Sequence, residues 1–465
     1  MKKYLSLLCV LLAICISLCG CGESNNEDDS EIVLRVSNWE EYIDLGDWDE
    51  EEAVELEDGT VILGENSLVE DFEEWFYDTY GKRVKVEYST FGTNEDLYNQ
   101  ITLGDKFDLV CPSEYMIMKM MSEDMLEPFS SDFYDTSDKY NYYINGVSPF
   151  IYDQFNNLSI NGEKISDYAA GYMWGTMGIV YNPEYVTEED ASTWEILYNP
   201  KYYKQISIKD SVREAYFAGA AIYAKDEITK ESFINDPDYH QNLADTINAT
   251  DQDTIDGVED ILSDIQKNVY SFETDAAKAD MVAGRVYGCM QWSGDAVYTM
   301  DQADEDELEL CFASPTEANN IWFDGWCMLK NSINEEPNKK MAAQAFINFV
   351  SKPESAVRNM YYIGYTSVIS GNDSDIVLEY ADYNYGAEED DEDIVDYDLS
   401  YFFGRDDAII ETSEYSLKRQ LGAQYPSKEV VDGCIIMSYF DKECNERINR
   451  MWTNVRCYDL GSLFK

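Results

Sequence analysis

Rings and carboxylates recur in this chain where strand-like runs end. Behind residues 32–36 (IVLRV) come Trp39, Glu40, Glu41 and Tyr42. After FDLVC come Ser113, Glu114 and Tyr115; after QISI come Asp210, Ser211, Arg213 and Glu214; after YGCMQ comes Trp292. Trp322 and Asp324 follow in IWFDGW, and Tyr365 in YIGYTS. In open α/β sheets ligands lie beyond the carboxyl ends of the strands, so these residues share the edge where a ligand would sit. The set suits an organic ammonium. An aromatic face attracts a cation by about 0.5–2 kcal/mol, and a carboxylate binds an ammonium through charge-assisted hydrogen bonds of roughly 1.5–3 kcal/mol each.

Other chemistries lack material. Glycine loops that cradle phosphate and clusters of lysine or arginine are absent from those strand ends. His240 is the single histidine, which removes most triads and histidine metal sites. Of the 11 cysteines, Cys111, Cys289, Cys311, Cys327, Cys434, Cys444 and Cys457 lie beyond the leader. That odd set, without a C-x-x-C pair, argues against a disulfide framework or zinc site. We expect no cofactor and no metal. DQDTIDG (residues 251–257) has part of a calcium-loop spacing, but Ile255 stands at a ligand position.

The elements that must hold these residues can be read from periodicity. SLVEDFEEWFYDTYG puts Leu68, Phe72, Trp75 and Phe76 on one helical face, and RVKVEYS alternates as a strand. NEDLYNQITLG reads as a helix, FDLVCP as a buried strand and EYMIMKMMSEDML as a helix. KQISIKD and YGCMQWSGDAVYTM begin a second such region, and KKMAAQAFINFVS and NERINRMWTNV read as amphipathic helices. Strands alternating with helices predict an α/β fold of mainly parallel sheets. A chain of 465 residues is too long for one core, so two domains are expected.

The net charge of −60 excludes nucleic acid, whose phosphates need a basic face. The start, MKKYLSLLCVLLAICISLCGC, is a secretory leader, too short for an ordinary membrane span. Its end, LCGC, resembles the bacterial lipobox, which implies lipidation at Cys21 and a polar tether over residues 21–30. Two acyl chains are enough for stable anchoring.

In order, LRVSNWEEYI, FDLVCPSEYMIMKM, YMWGTMGIVYNP, TWEILYNPKYYKQISIKDSVREAY, CMQWSGDAV, IWFDGWCML and YYIGYTS resemble the spermidine/putrescine-binding proteins of bacterial polyamine ABC importers. The resemblance implies a two-lobed periplasmic-binding-protein fold of type II, with crossings near Gly175, Phe323 and Gly371. Residues 1–20 would be the leader, 31–175 and 324–371 lobe 1, and 176–323 and 372–465 lobe 2. It implies ligand contacts at Trp39, Glu41, Tyr42, Ser113, Tyr115, Glu214, Trp292, Trp322, Asp324 and Tyr365. Trp322 and Trp292 would bracket the aliphatic chain, and Asp324, Glu214 and Glu41 would hold ammonium groups. Three positions depart from the pattern: Glu40 replaces a threonine, Ser211 replaces an aspartate with Asp210 just before it, and a C-terminal glutamine has no match in DGCIIMSYF. The partners implied are a polyamine and an ABC permease with its cytoplasmic ATPase. The chain would be a monomer held at the outer side of the cytoplasmic membrane by lipid alone. Another solute, a sugar or a different small amine, is the alternative within the fold. A hydrolase using Glu41 and Asp324 as its carboxylate pair is the alternative outside it.

Overall fold

The computed structural model describes residues 31–457 except 275, 334–335, 373 and 389–392, so the leader, Cys21 and the whole tether lie outside the described residues. Strand β1 (Ile32–Trp39) carries its apolar side chains inward at alternate positions. Helix α1 (Leu68–Tyr80) opens on a capping box made by Ser67 and Glu70, and it closes at Gly81, whose φ of 66° favours glycine. Then come β2 (Val84–Phe91), α2 (Asn94–Leu103), β3 (Leu109–Val110) and α3 (Glu114–Ser122). These are the expected elements, and β1 pairs parallel with both β2 and β3.

Strand β4 (Ala169–Tyr181) is buried at every position. The second region contains β5 (Ile206–Lys209), α4 (Val212–Ile228), α5 (Gln252–Asn268), β6 (Phe272–Glu273), β7 (Gly288–Trp292) and α6 (Ser293–Glu305). Asp251 caps α5, accepting from the amides of Asp253 and Thr254, which is what the calcium-like spacing serves. Strand β9 (Asn319–Leu329) follows the short β8 (Cys311–Ala313), and α7 (Pro337–Val350) and α8 (Pro353–Ile363) follow β9. Farther on lie α9 (Ile376–Tyr385), the hairpin β10 (Ile394–Asp398) and β11 (Ile409–Ser413), and α10 (Lys442–Cys457). Single-histidine His240 is exposed, on the short helix Tyr239–Ile247.

One sheet runs β6-β5-β7-β4-β9-β3-β1-β2. Its outer strands are parallel, as expected, but β4 pairs antiparallel with both β7 and β9 at its centre. Along β4, side chains up to Trp174 join one core and those from Met177 join another. Beyond the crossing, alternation sends Ile179 to one face and Val180 to the other, so both faces are covered. Strand β9 passes between the cores where Ala318 packs in the second and Ile321 in the first.

The last stretch departs from the expected boundaries. Val377, Tyr380, Phe402, Ile410, Tyr425 and Val431 pack in the first core, Ala423 packs with Val180 and Met300 on the other face of β4, and Ile435 joins the second core. The cause is the apolar face of α9 and of the β10–β11 hairpin, which the charge run at residues 388–398 conceals in the sequence. The acidic stretch at residues 44–66, after β1, also packs in the first core through Trp48, Val54, Leu56 and Ile62. Trp48 lies 4.7 Å from the Tyr361 ring and donates to Asp44, whose carboxylate receives the Arg358 guanidinium from α8 at 2.8 Å.

Candidate functional site

Strand β9 delivers Asp324 to the middle of the molecule, 5% exposed. Its two oxygens accept from the Tyr42 hydroxyl at 2.8 Å and the Ser113 hydroxyl at 2.7 Å. Ser113 stands at the cap of α3, yet its hydroxyl goes to Asp324 and makes no capping bond. Asn94 fixes it from both sides, donating to its Oγ and accepting from its amide, each at 3.0 Å. Among the described residues no cation pairs with Asp324. Burial therefore pushes its pKa up to about 6, although both hydroxyls pull it down. Glu114 beside it, accepting from the Phe323 amide at 3.0 Å, is pushed up to about 8 by the same burial.

Aromatic walls continue from this carboxylate. The Tyr365 ring lies 5.1 Å from that of Tyr42 and 5.8 Å from that of Trp322, edge-on to both. Tyr365 fits because residue 294 is glycine: a Cβ there would lie 2.4 Å from its ring. Trp322 packs over Gly175, where a Cβ would lie 2.6 Å from the indole, and it donates to the Thr176 carbonyl at 3.3 Å. The Tyr365 hydroxyl donates to Asp295 at 3.0 Å, in the first turn of α6. Asp295 is buried too, but Lys209 and Lys278 reach it at 2.7 and 3.1 Å and hold its pKa below the usual value against desolvation. The Lys209 ammonium also lies 3.6 Å from the centroid of the Trp292 ring.

Of the residues singled out in the sequence, Tyr42, Ser113, Trp292, Trp322, Asp324 and Tyr365 thus come together. Tyr115 stands next to them, hydrogen-bonded to Asn94 and carrying the Arg213 guanidinium 4.5 Å from its ring centroid. Glu214 receives the Ser211 hydroxyl, and its charge acts on Tyr115 and Glu95 across the cleft. Trp39 packs on Phe91 at 4.9 Å with its buried indole N–H unpartnered. Glu40 and Glu41 instead form an exposed turn, and Asp210 is exposed and paired with Arg456 of α10 at 3.1 Å. Exposure keeps those three carboxylates hydrated, so they do not share the buried environment of Asp324.

Glu114 and Arg213, seen at strand ends but given no role, belong to the same cluster; Lys209, Asp295 and Asn94 belong to it too and escaped the sequence reading. A signal existed for two of them: Asp295 falls three residues after Trp292, and Lys209 directly precedes Asp210. A second cavity of about 320 Å³ lies between α6, α8 and α9, with Asp301, Tyr380, Tyr385 and Arg419 in its wall and none of the cluster residues named above lining it.

The family described as bacterial extracellular solute-binding protein matches residues 67–377. A spermidine/putrescine-binding periplasmic protein of Salmonella typhimurium is 25% identical over 367 residues, 78% of this chain and 84% of its own. The crystal structure of a spermidine/putrescine ABC transporter substrate-binding protein from Streptococcus pneumoniae aligns with a TM-score of 0.59 at 23% identity, covering 92% of this chain and 99% of that one. A putative spermidine/putrescine ABC transporter from Listeria monocytogenes aligns with a TM-score of 0.60 at 22% identity and the same coverage. The fold is accordingly the two-lobed type II periplasmic-binding fold, with the sheet shared through β4 and β9.

Proposed function

We propose, for a chain that belongs to the bacterial extracellular solute-binding protein family, that its solute is a linear polyamine, taken up by an ABC importer. The observation that carries the proposal is Asp324: a buried carboxylate held by two hydroxyls, facing aromatic walls, with no cation paired to it among the described residues. Such a group is costly in the empty site and gains most from an external ammonium.

Binding would run in this order. The amine enters with the lobes parted, because Tyr42, Trp322 and Asp324 are all under a tenth exposed as they stand. Asp324 gives up any proton it carries and receives one ammonium, whose N–H groups also reach the Tyr42 and Ser113 oxygens. Trp322 and Tyr365 cover the methylene chain and exclude water. Glu214 serves a second ammonium from the other lobe. Contacts to both lobes select the closed form, which docks on the permease. No bond is made or broken. The lipid anchor at Cys21 would keep the protein at the outer membrane face, as a monomer, near that permease.

The hydrolase alternative fits poorly, since Glu41 is exposed in a turn while Asp324 is buried and held by two hydroxyls. Isothermal titration of the chain from Gly22 onward tests the proposal. The expected result is binding of a polyamine, none of a neutral disaccharide, and loss in Asp324→Asn. A chain that binds the disaccharide and no amine overturns it.

A further inference from the structure

We infer that Lys209 is a built-in stand-in for a ligand ammonium, so that the site takes an α,ω-diamine in preference to longer polyamines. This rests on the polyamine reading above and narrows it. Lys209 ends β5 and is 1% exposed. Its ammonium meets an indole face at 3.6 Å, and at 2.7 Å it meets a carboxylate that a tyrosine hydroxyl also contacts. Ring, carboxylate and phenol are the same three groups that await an ammonium at Asp324, and Tyr365 lies between the two ends. The cradle at Trp292 is thus already filled, by the protein itself.

Charge closes that end further. Lys209 holds its positive charge there, 1% exposed, and its partner Asp295 also receives Lys278. In a low-dielectric site like charges a few ångströms apart repel strongly. An amine running from Asp324 along Trp322 and Tyr365 would push a third ammonium toward the Lys209 ammonium, whose place it would need. The carboxylates that the polyamine reading gives to the solute, Asp324 and Glu214, match the two ammonium groups of a diamine.

The test is isothermal titration of the mature chain with putrescine, cadaverine, spermidine and spermine. The proteins are the wild type, Lys209→Met and, as a control outside the ring contact, Lys278→Met. Methionine keeps most of the lysine stem, and in Lys209→Met the remaining Lys278 keeps Asp295 paired. The wild type is expected to favour a diamine over spermidine by roughly tenfold, about 1.4 kcal/mol. Lys209→Met is expected to gain spermidine affinity by about the same factor, while Lys278→Met leaves the preference in place. A wild type that binds spermidine as tightly as the diamines overturns the inference, whether or not the variant folds. So does a folded Lys209→Met with an unchanged ratio; either outcome leaves the polyamine reading standing. A wild type that binds no amine overturns both.

Discussion

Asp324 and Asp295 stand at opposite ends of one aromatic cluster, joined through Tyr42 and Tyr365, and both are buried. Asp324 meets only neutral donors, and its pKa rises to about 6; Asp295 meets two lysines, and its pKa falls. Burial alone does not say what a carboxylate is for. The charge balance around it does, because a paired group is already satisfied and an unpaired one leaves an attraction available to a ligand.

The sharpest way to break this contrast is to neutralise each carboxylate. Asp295→Asn strands Lys209 and Lys278 beside each other, and we expect it to lower stability by about 3–5 kcal/mol in chemical denaturation. Asp324→Asn is expected to weaken polyamine binding by about 2–5 kcal/mol in titration calorimetry. The same substitution should stabilise the empty protein by about 1–3 kcal/mol at pH 7.5. The sign follows from the raised pKa. Asp324 favours the folded state most below its unfolded value near 4, and that contribution is lost as pH rises through about 6. A variant that loses binding and stability together would place Asp324 with Asp295 as a structural group.

The pH profile sharpens the comparison further. Asp324 must be ionised to hold an ammonium, so affinity should fall below about pH 6, approaching tenfold per unit. Reference carboxylates would place that limb near 4; the burial of Asp324 moves it upward. At high pH, affinity should fall again as the amine deprotonates. The smallest effect belongs to the exposed turn: Glu40→Gln and Glu41→Gln should each change affinity by less than about 0.5 kcal/mol. A larger loss would bring the turn into the site.

Sequence patterns made much of this legible. The apolar face of α1, the alternation of β1 and the ring-and-carboxylate ends of strands depend on neighbours in the chain, and these appeared as expected. The meeting of Tyr42, Ser113 and Asp324 was legible only through a resemblance, since three separate elements bring them together. Lys209 and Asp295 were not legible. One reads as the polar end of a strand and the other as a helix-start acid, and they meet only because β5 and β7 are adjacent in the sheet. The allegiance of α9 and the β10–β11 hairpin to the first core was hidden for a similar reason. Acidic flanks outweighed a few rings, such as Tyr380 and Phe402, whose partners lie far away in sequence.

The placement of β9 bears on when the protein can be assembled. Cys327 pairs both with Val110 in β3 and with Ala169 in β4, so the middle of the sheet must wait until the chain beyond residue 319 has emerged. Asp324 is carried by that same late strand. A chain built this way stays open at its centre until most of it is made. Fragments ending before residue 319 should therefore show little hydrogen-exchange protection in β4, and the pocket should arise together with the sheet centre as the last stage of folding.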